Sequence, residues 1–225
     1  ASNIASTVSN NGGVFYLQDV PNATLSFNGT TLFSGNSLNN GGMGGAIGNG
    51  WLSSTSGSGF TPGGKIVFNG DATFTSNSTN NPNGAGAIFN NGNGTVAAPD
   101  ILFDGDATFT SNSATGASNS VYVGGGAIYH RDGAIVFNDG ATFRNNKSTT
   151  RGGAIMSAGA MLFGDEVVFD GNTAELSGGA MAILGGNVTF ADSAMFSNNT
   201  ASSGAAIAIS AADSVLSFQD SAQFI

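Results

Sequence analysis

Four aspartates recur at one position of a repeating pattern, and carboxylates in such a series are candidate metal ligands. They are Asp139, Asp165, Asp192 and Asp220. Stacked in a column, their oxygens would suit Ca²⁺, which prefers oxygen ligands. The same position is glycine in three earlier copies, at Gly29, Gly70 and Gly105, so aspartate is alternatively a corner residue that bonds its own backbone. The sequence therefore leaves calcium as a candidate and calls for no cofactor.

The triplet His130-Arg131-Asp132 places a possible general base beside a charge pair. No nucleophile or matched acid accompanies it, and we expect a lone histidine at a turn to be solvated. A polysaccharide lyase or hydrolase would need paired carboxylates, or basic residues with a metal, gathered on one face. The 14 acidic residues fall mostly at corners of the repeat, so the sequence predicts no catalytic residue and a protein that is not an enzyme.

Aromatic residues in two insertions are the candidate ligand contacts. Trp51 and Phe60 lie in the longest insertion, Gly48 to Gly64, and Tyr122 lies in an expanded corner between Asn112 and Gly124. An exposed aromatic side chain on a polar surface can stack on a sugar or anchor a protein partner. The alternative is that Trp51 and Phe60 fold back over the core. We predict ligand binding through these insertions.

The elements that would position these residues follow from pairs of phenylalanines six residues apart, which include 14 of the 17 phenylalanines. The pairs are Phe27/Phe33, Phe68/Phe74, Phe103/Phe109, Phe137/Phe143, Phe163/Phe169, Phe190/Phe196 and Phe218/Phe224. The residue two before the first Phe is apolar in every copy, whereas the residue between them is mixed. This alternation indicates a strand with one buried face. The second Phe predicts a second strand by the same rule.

Each complete copy also has an asparagine three residues after the second Phe, and then a segment similar to GGAI. The asparagines are Asn36, Asn77, Asn112, Asn146, Asn172 and Asn199. Such an asparagine either adopts a left-handed backbone conformation or bonds along a stack of identical neighbours. The GGAI-like segments begin at Gly44, Ala85, Gly125, Gly152, Gly178 and Gly204. They predict a corner followed by a third strand.

A unit of three short strands, repeating after 26 to 28 residues in its last copies, cannot close a core of its own. We therefore predict an all-β fold, a right-handed parallel β-helix of about seven rungs of three strands. Residues 1–11 are predicted to be a lead-in or partial rung, and residues 12–225 a single β-helix domain. Because the sequence stops at Phe224-Ile225 without a polar cap, we expect a fragment, or a subunit whose open end another chain covers.

Composition excludes several classes of partner and site. The net charge is −9, with only 5 basic residues, so no basic stripe is present to bind nucleic acid. The chain has no cysteine, which excludes disulfides, thiolate metal sites and cysteine nucleophiles. The sequence contains no run of about 18 apolar residues, so no membrane-spanning helix is predicted.

The combination of GGAI with FxxN resembles the polymorphic outer membrane protein repeats of chlamydial autotransporters. FxxN occurs as FTSN at Phe74 and Phe109, FRNN at Phe143, FDGN at Phe169 and FSNN at Phe196. The resemblance extends from Gly12 to Phe224. It implies a right-handed β-helical passenger, displayed at the cell surface, used for adhesion to host cells, and ordinarily followed by a membrane-embedded barrel that this sequence does not contain. It implies structural roles for the Phe and Asn residues and no catalytic ones.

We accordingly expect a non-enzymatic adhesin passenger, extracellular or at the bacterial outer-membrane surface, that binds a host-cell protein or glycan through its insertions. Contact with the membrane would run only through the barrel that the family implies. The alternative is a subunit of a self-assembling extracellular fibre, in which the Phe224 end of one molecule stacks on the Val14 end of the next.

Overall fold

The computed structural model describes residues 4–5, 13–39, 42–52, 60–81, 83–98, 100–116 and 124–225. The regular elements in these ranges are all β-strands. They include no helix, and therefore none that could cross a membrane.

The two phenylalanines of each pair lie on two separate sheets, each with seven strands among the described residues. The first-Phe sheet contains Thr24–Phe27, Lys65–Phe68, Ile101–Phe103, Ala134–Phe137, Ala160–Phe163, Asn187–Phe190 and Val215–Phe218. The second-Phe sheet contains Thr31–Ser34, Ala72–Thr75, Ala107–Thr110, Ala141–Arg144, Val167–Asp170, Ala194–Ser197 and Ala222–Phe224. Within each sheet, consecutive copies of the repeat pair in parallel, as Phe68 does with Phe103 and Phe74 with Phe109.

The rest of each repeat forms two further parallel sheets. The GGAI sheet contains Phe15–Leu17, Ile47–Asn49, Ile88–Asn91, Ile128–Asp132, Ile155–Ser157, Met181–Ile183 and Ile207–Ile209. The corner sheet contains six two-residue strands in the described part of the chain: Ile4–Ala5, Ser37–Leu38, Ser78–Thr79, Ser113–Ala114, Lys147–Ser148 and Thr173–Ala174. The chain thus climbs by one rung per repeat, and the predicted parallel β-helix is confirmed. Besides the three predicted strands, a rung has this fourth one, which is too short to show alternation.

The core is a double column of phenylalanine rings. Successive rings within a column stack at centroid distances of 4.7 to 5.0 Å, as Phe68 does on Phe103 and Phe74 on Phe109. This distance matches the spacing of neighbouring strands, since one ring comes from each rung. Rings of the two columns meet edge to face, at 5.8 Å between Phe68 and Phe74. Offset stacks and edge-to-face contacts are the favourable aromatic geometries.

The recurrent asparagines form a buried ladder at the corner sheet. The Oδ1 atom of Asn112 accepts bonds of 3.0 Å from the backbone amide and the Nδ2 of Asn77. Its own Nδ2 donates to Phe74 O at 2.9 Å and to Asn146 Oδ1 at 3.0 Å. The amide group is therefore fully bonded although it is buried. The left-handed backbone conformation belongs to the residue before the asparagine, such as Ser111 at φ 55°.

The central strands of the GGAI sheet are buried on both faces. Ile88 belongs to the central core, whereas the next residue, Phe89, packs in a second cluster with Tyr129 and Met156. Successive strand residues point to opposite faces, so this second cluster lies on the outer side of the sheet. These three side chains are at most 1 % exposed, and Met43 in the same cluster is 4 % exposed. The central strands of the GGAI sheet therefore lie between two apolar clusters.

Candidate binding edge

The long insertion leaves the rod where the GGAI sheet meets the first-Phe sheet, and we call this corner the insertion edge. The strand Ile47–Asn49 precedes the insertion and the strand Lys65–Phe68 follows it. Between them, Trp51–Leu52 pairs with Phe60–Thr61 as an antiparallel ribbon. Since every strand pairing between rungs is parallel in the part of the chain that the structure describes, this ribbon is a local hairpin added to one rung.

For the predicted ligand contacts Trp51 and Phe60, the structure describes the backbone positions in this hairpin. Trp51 pairs with Thr61, and Phe60 pairs with Leu52, so both aromatic residues belong to one ribbon. The side chains of Trp51 and Phe60, and the whole of Tyr122, lie outside the described residues. Ligand contact at these three residues stays a prediction.

Another insertion, between the strands Ile88–Asn91 and Ile101–Phe103, lies at the same edge one rung further along. At its base is the carboxylate of Asp100, which is 7 % exposed. Its Oδ1 accepts hydrogen bonds from the amides of Asn93 at 3.0 Å and Gly94 at 2.7 Å. Its Oδ2 accepts a bond of 2.8 Å from the amide of Ala134, in the next rung. A single carboxylate thus ties the insertion to the neighbouring rung.

The first insertion is held from beneath by Asn49, whose side chain is buried. Its Nδ2 donates to Gly64 O and its Oδ1 accepts from Gly64 N, both at 2.9 Å. The same Nδ2 lies 2.7 Å from Asn90 Oδ1 in the next rung. The amide of Gly63 donates to Asn91 O at 3.2 Å. The return of the chain from the hairpin is therefore bonded both to its own rung and to the next.

The buried polar column continues from Asn90 to His130. Asn90 Nδ2 lies 3.1 Å from His130 Nδ1, and His130 Nε2 lies 3.0 Å from Ala160 O. Because a carbonyl oxygen only accepts, Nε2 carries the proton and Nδ1 accepts from Asn90. Burial lowers the pKa of His130 to about 4, against the opposing effects of the bond to Ala160 and the charge of Asp132. The ring is neutral at pH 7.

The expectation that His130 is solvated at a turn was therefore wrong. The ring is 0 % exposed because its position in the strand faces the interior. Both ring nitrogens bond to groups within the rod, and neither faces solvent. The neighbouring Arg131 donates from Nη1 to Asn91 Oδ1 at 2.9 Å. The histidine serves as an anchor beneath the insertion edge.

The four candidate calcium ligands occupy the other predicted corner, between the first-Phe and second-Phe sheets. Each accepts a hydrogen bond from the amide of the next residue, at 2.6 to 3.2 Å, through Oδ1 of Asp139, Asp165, Asp192 and Asp220. This is the corner role that the alternative interpretation assigned to them. Within the described ranges, no three acidic, histidine or cysteine side chains are grouped so that they could hold a metal ion.

The sequence did not lead us to predict Asn49, Asn90 or Asp100 as anchoring residues, and His130 was considered only as a possible general base. A signal was nevertheless present, because Asn49 and Asn90 each follow a GGAI isoleucine by two residues, and His130 stands at the same position. Period-2 alternation places that position on the inward face. A repeated polar residue at an inward position predicts a buried hydrogen-bonded column.

Comparison with protein families supplies the remaining finding. Residues 140–158 match the model of the Chlamydia polymorphic membrane protein repeat. The chain carries a repeat of this family. The match covers the FRNN motif at Phe143 and the GGAI motif at Gly152, so the predicted resemblance is confirmed there. Comparison with curated proteins and comparison with solved structures each find no match.

In the fold, one polymorphic membrane protein repeat corresponds to most of one rung. The matched segment begins at Gly140 and contains the strands Ala141–Arg144, Lys147–Ser148 and Ile155–Ser157. It includes the ladder residue Asn146 and the closely packed glycines of the GGAI motif. The recurring elements of the repeat are therefore the residues by which one rung bonds to the next.

Proposed function

We propose that this chain is part of the passenger of a chlamydial outer-membrane protein and acts as a non-enzymatic adhesin. Its ligand is a protein or glycan of the host-cell surface, and the insertion edge makes the contact. An outer-membrane or surface association follows from the family to which the repeat at residues 140–158 belongs. The binding role rests on the insertion edge itself.

The observation that carries this proposal is the anchoring of two successive insertions. Asn49 and Asp100, both buried, bond the ends of the two insertions to the rod. Binding residues in proteins are commonly found on loops that a rigid scaffold positions. A loop whose ends are already fixed loses less conformational entropy when it binds. The rod thus presents these insertions in a defined arrangement.

The experiment replaces residues 51–61 with a two-glycine link between Gly50 and Pro62, which leaves Asn49 and Gly64 in place. Beads coated with the purified variant are counted on cultured epithelial cells, and circular dichroism verifies the β-helix. We expect attachment to fall to the level of uncoated beads. The control is Leu32→Ser, which changes a side chain that is 66 % exposed on the second-Phe sheet. A folded loop variant that attaches as well as the unaltered protein would refute the proposal.

A further inference from the structure

The corner between the first-Phe and second-Phe sheets collects most of the negative charge of the chain, and we call it the acidic edge. It consists of the three residues that follow the first Phe of each pair, and it holds 8 of the 14 acidic residues and none of the 5 basic ones. These acidic residues are Asp71, Asp104, Asp106, Asp139, Asp165, Glu166, Asp192 and Asp220. Since the rungs are in register, the carboxylates follow one line along the rod.

Most of these carboxylates have a bonding role in the rod. Asp104 accepts a bond of 2.7 Å from Asn138 Nδ2, and Asp71 accepts one of 3.3 Å from the amide of Asp106. The four aspartates of the candidate calcium column each bond the amide that follows. Asp106 and Glu166 differ, because their carboxylates accept no hydrogen bond from any residue that the structure describes. These two carboxylates remain free for a partner.

Asp106 and Glu166 flank a groove of about 240 Å³ on the outer face of the rod. The groove exists because Gly140 occupies the position that Asp106 and Glu166 fill in the rungs on either side. A Cβ at Gly140 would lie 2.9 Å from Asp106 Oδ1, so the Asp106 carboxylate lies beside the space that the missing side chain leaves. Thr108 and Thr142 also line the groove. Its lining thus offers hydrogen-bond acceptors and negative charge, and no basic side chain.

We propose that the acidic edge docks a basic segment of a partner protein and that the groove at Gly140 receives one of its lysine or arginine side chains. Charge complementarity selects this partner, because an extended row of carboxylates attracts a run of positive charge. Arg144 lies two residues beyond Thr142 on the same strand, and its charge acts on Asp170. This surface is separate from the insertion edge and does not depend on the adhesin proposal.

The test measures binding of a fluorescein-labelled hexa-arginine peptide by anisotropy, at low and at physiological salt. Gly140→Ser fills the groove without changing the charge. The backbone φ of Gly140 is not in the left-handed region, so serine can adopt the same backbone conformation. Asp106→Asn with Glu166→Gln removes the two free carboxylates. We expect the double variant to weaken binding about fivefold, the size typical of two exposed ion pairs. Gly140→Ser should weaken binding about as much, because the basic side chain can no longer enter the groove between the two carboxylates.

The control is Asp213→Asn with Glu175→Gln, which removes the same charge from exposed positions outside the acidic edge. We expect this variant to bind within about twofold of the unaltered protein. Equal weakening by the control would mean that net charge alone attracts the peptide, and would overturn the proposal. Full affinity of Gly140→Ser, or no binding by the unaltered protein at low salt, would overturn it as well.

Discussion

At the scale of the residue, the buried polar column beneath the insertion edge shows that a polar side chain can be buried only where neighbouring residues bond to it. Asn90 bonds Asn49 on one side and His130 on the other. In a later rung the same position is Ile183, which belongs to the apolar core. A buried polar side chain is tolerated only when it is bonded. Each polar residue of the column accordingly has a hydrogen-bond partner within the rod, as Asn49, Asn90 and His130 do.

The neutral state of His130 predicts that acid destabilises the protein. The pKa of His130 is about 4 in the folded chain, against an ordinary value of 6.5. Between these pH values the unfolded chain binds a proton and the folded chain does not. The free energy of unfolding should therefore fall as the pH drops from 6.5 to 4, by about 3 kcal/mol in total from this residue.

Urea denaturation between pH 4 and pH 7 measures this effect. His130→Asn is the matched variant, since asparagine already fills the equivalent position at Asn49 and Asn90 and does not titrate. We expect the variant to lose stability less steeply than the unaltered protein over this pH range. Parallel curves for the two proteins would show that His130 does not cause the acid sensitivity.

At the scale of the element, the second glycine of the GGAI motif is required by the close approach of successive rungs. A Cβ on Gly126 would lie 1.9 Å from Gly153 O and 2.6 Å from Lys147 N. Both are backbone atoms, which cannot move aside without displacing a strand. The equivalent contact is 2.0 Å in the neighbouring rungs, at Gly86 and Gly153. The second glycine is therefore required by the short distance between rungs, whereas the first glycine has a left-handed backbone in four copies, as at Gly152 with φ 61°.

We predict that Gly126→Ala destabilises the protein by about 3 kcal/mol, at the upper end for overpacking of a core. Gly29→Ala is the control, because a Cβ at Gly29 has no described atom within 4 Å. It should change the free energy of unfolding by less than about 0.5 kcal/mol. Urea denaturation of both variants at pH 7 gives the comparison. Equal stability of the two variants would contradict the close contact.

At the scale of the whole molecule, each rung contacts chiefly the rungs before and after it. The Phe columns, the Asn ladder and the parallel strand pairs all connect one copy of the repeat with the next. Stability in such a solenoid is approximately a sum over rungs and their interfaces. An internal rung can accordingly be removed if the register of the remaining rungs is kept.

Deletion of residues 163–189 tests this modularity, since it joins Leu162 to Phe190 and keeps the alternation of the strand. We expect a folded β-helix that is shorter by one rung, with cooperative thermal unfolding followed by circular dichroism. Deletion of residues 162–189 is the control, because it places Met161 at an outward position and Ala160 at an inward one. A slip of one residue moves the apolar side chains to the wrong face. The proposed modularity is wrong if both deletions unfold the protein alike.

Much of the fold of the rod is predictable because the patterns that specify its strands involve residues close together in the sequence. Apolar residues at alternate positions around Phe68 and Phe74 predict two strands, and their return in seven copies predicts stacking. The asparagine corner follows from the same spacing. The fourth strand could not be predicted, since Ser78–Thr79 has only two residues and owes its strand conformation to pairing with Ser113–Ala114.

The candidate sites were harder to predict, for a physical reason. Composition and repeat spacing alone establish an all-β solenoid, an acidic chain and the positions of its insertions, since these depend on neighbours along the chain. The burial of His130, the bonds of Asn49 and the groove at Gly140 depend on residues in adjacent rungs. Such residues are 41 positions apart for Asn49 and Asn90, and only the folded rod brings them within hydrogen-bonding distance.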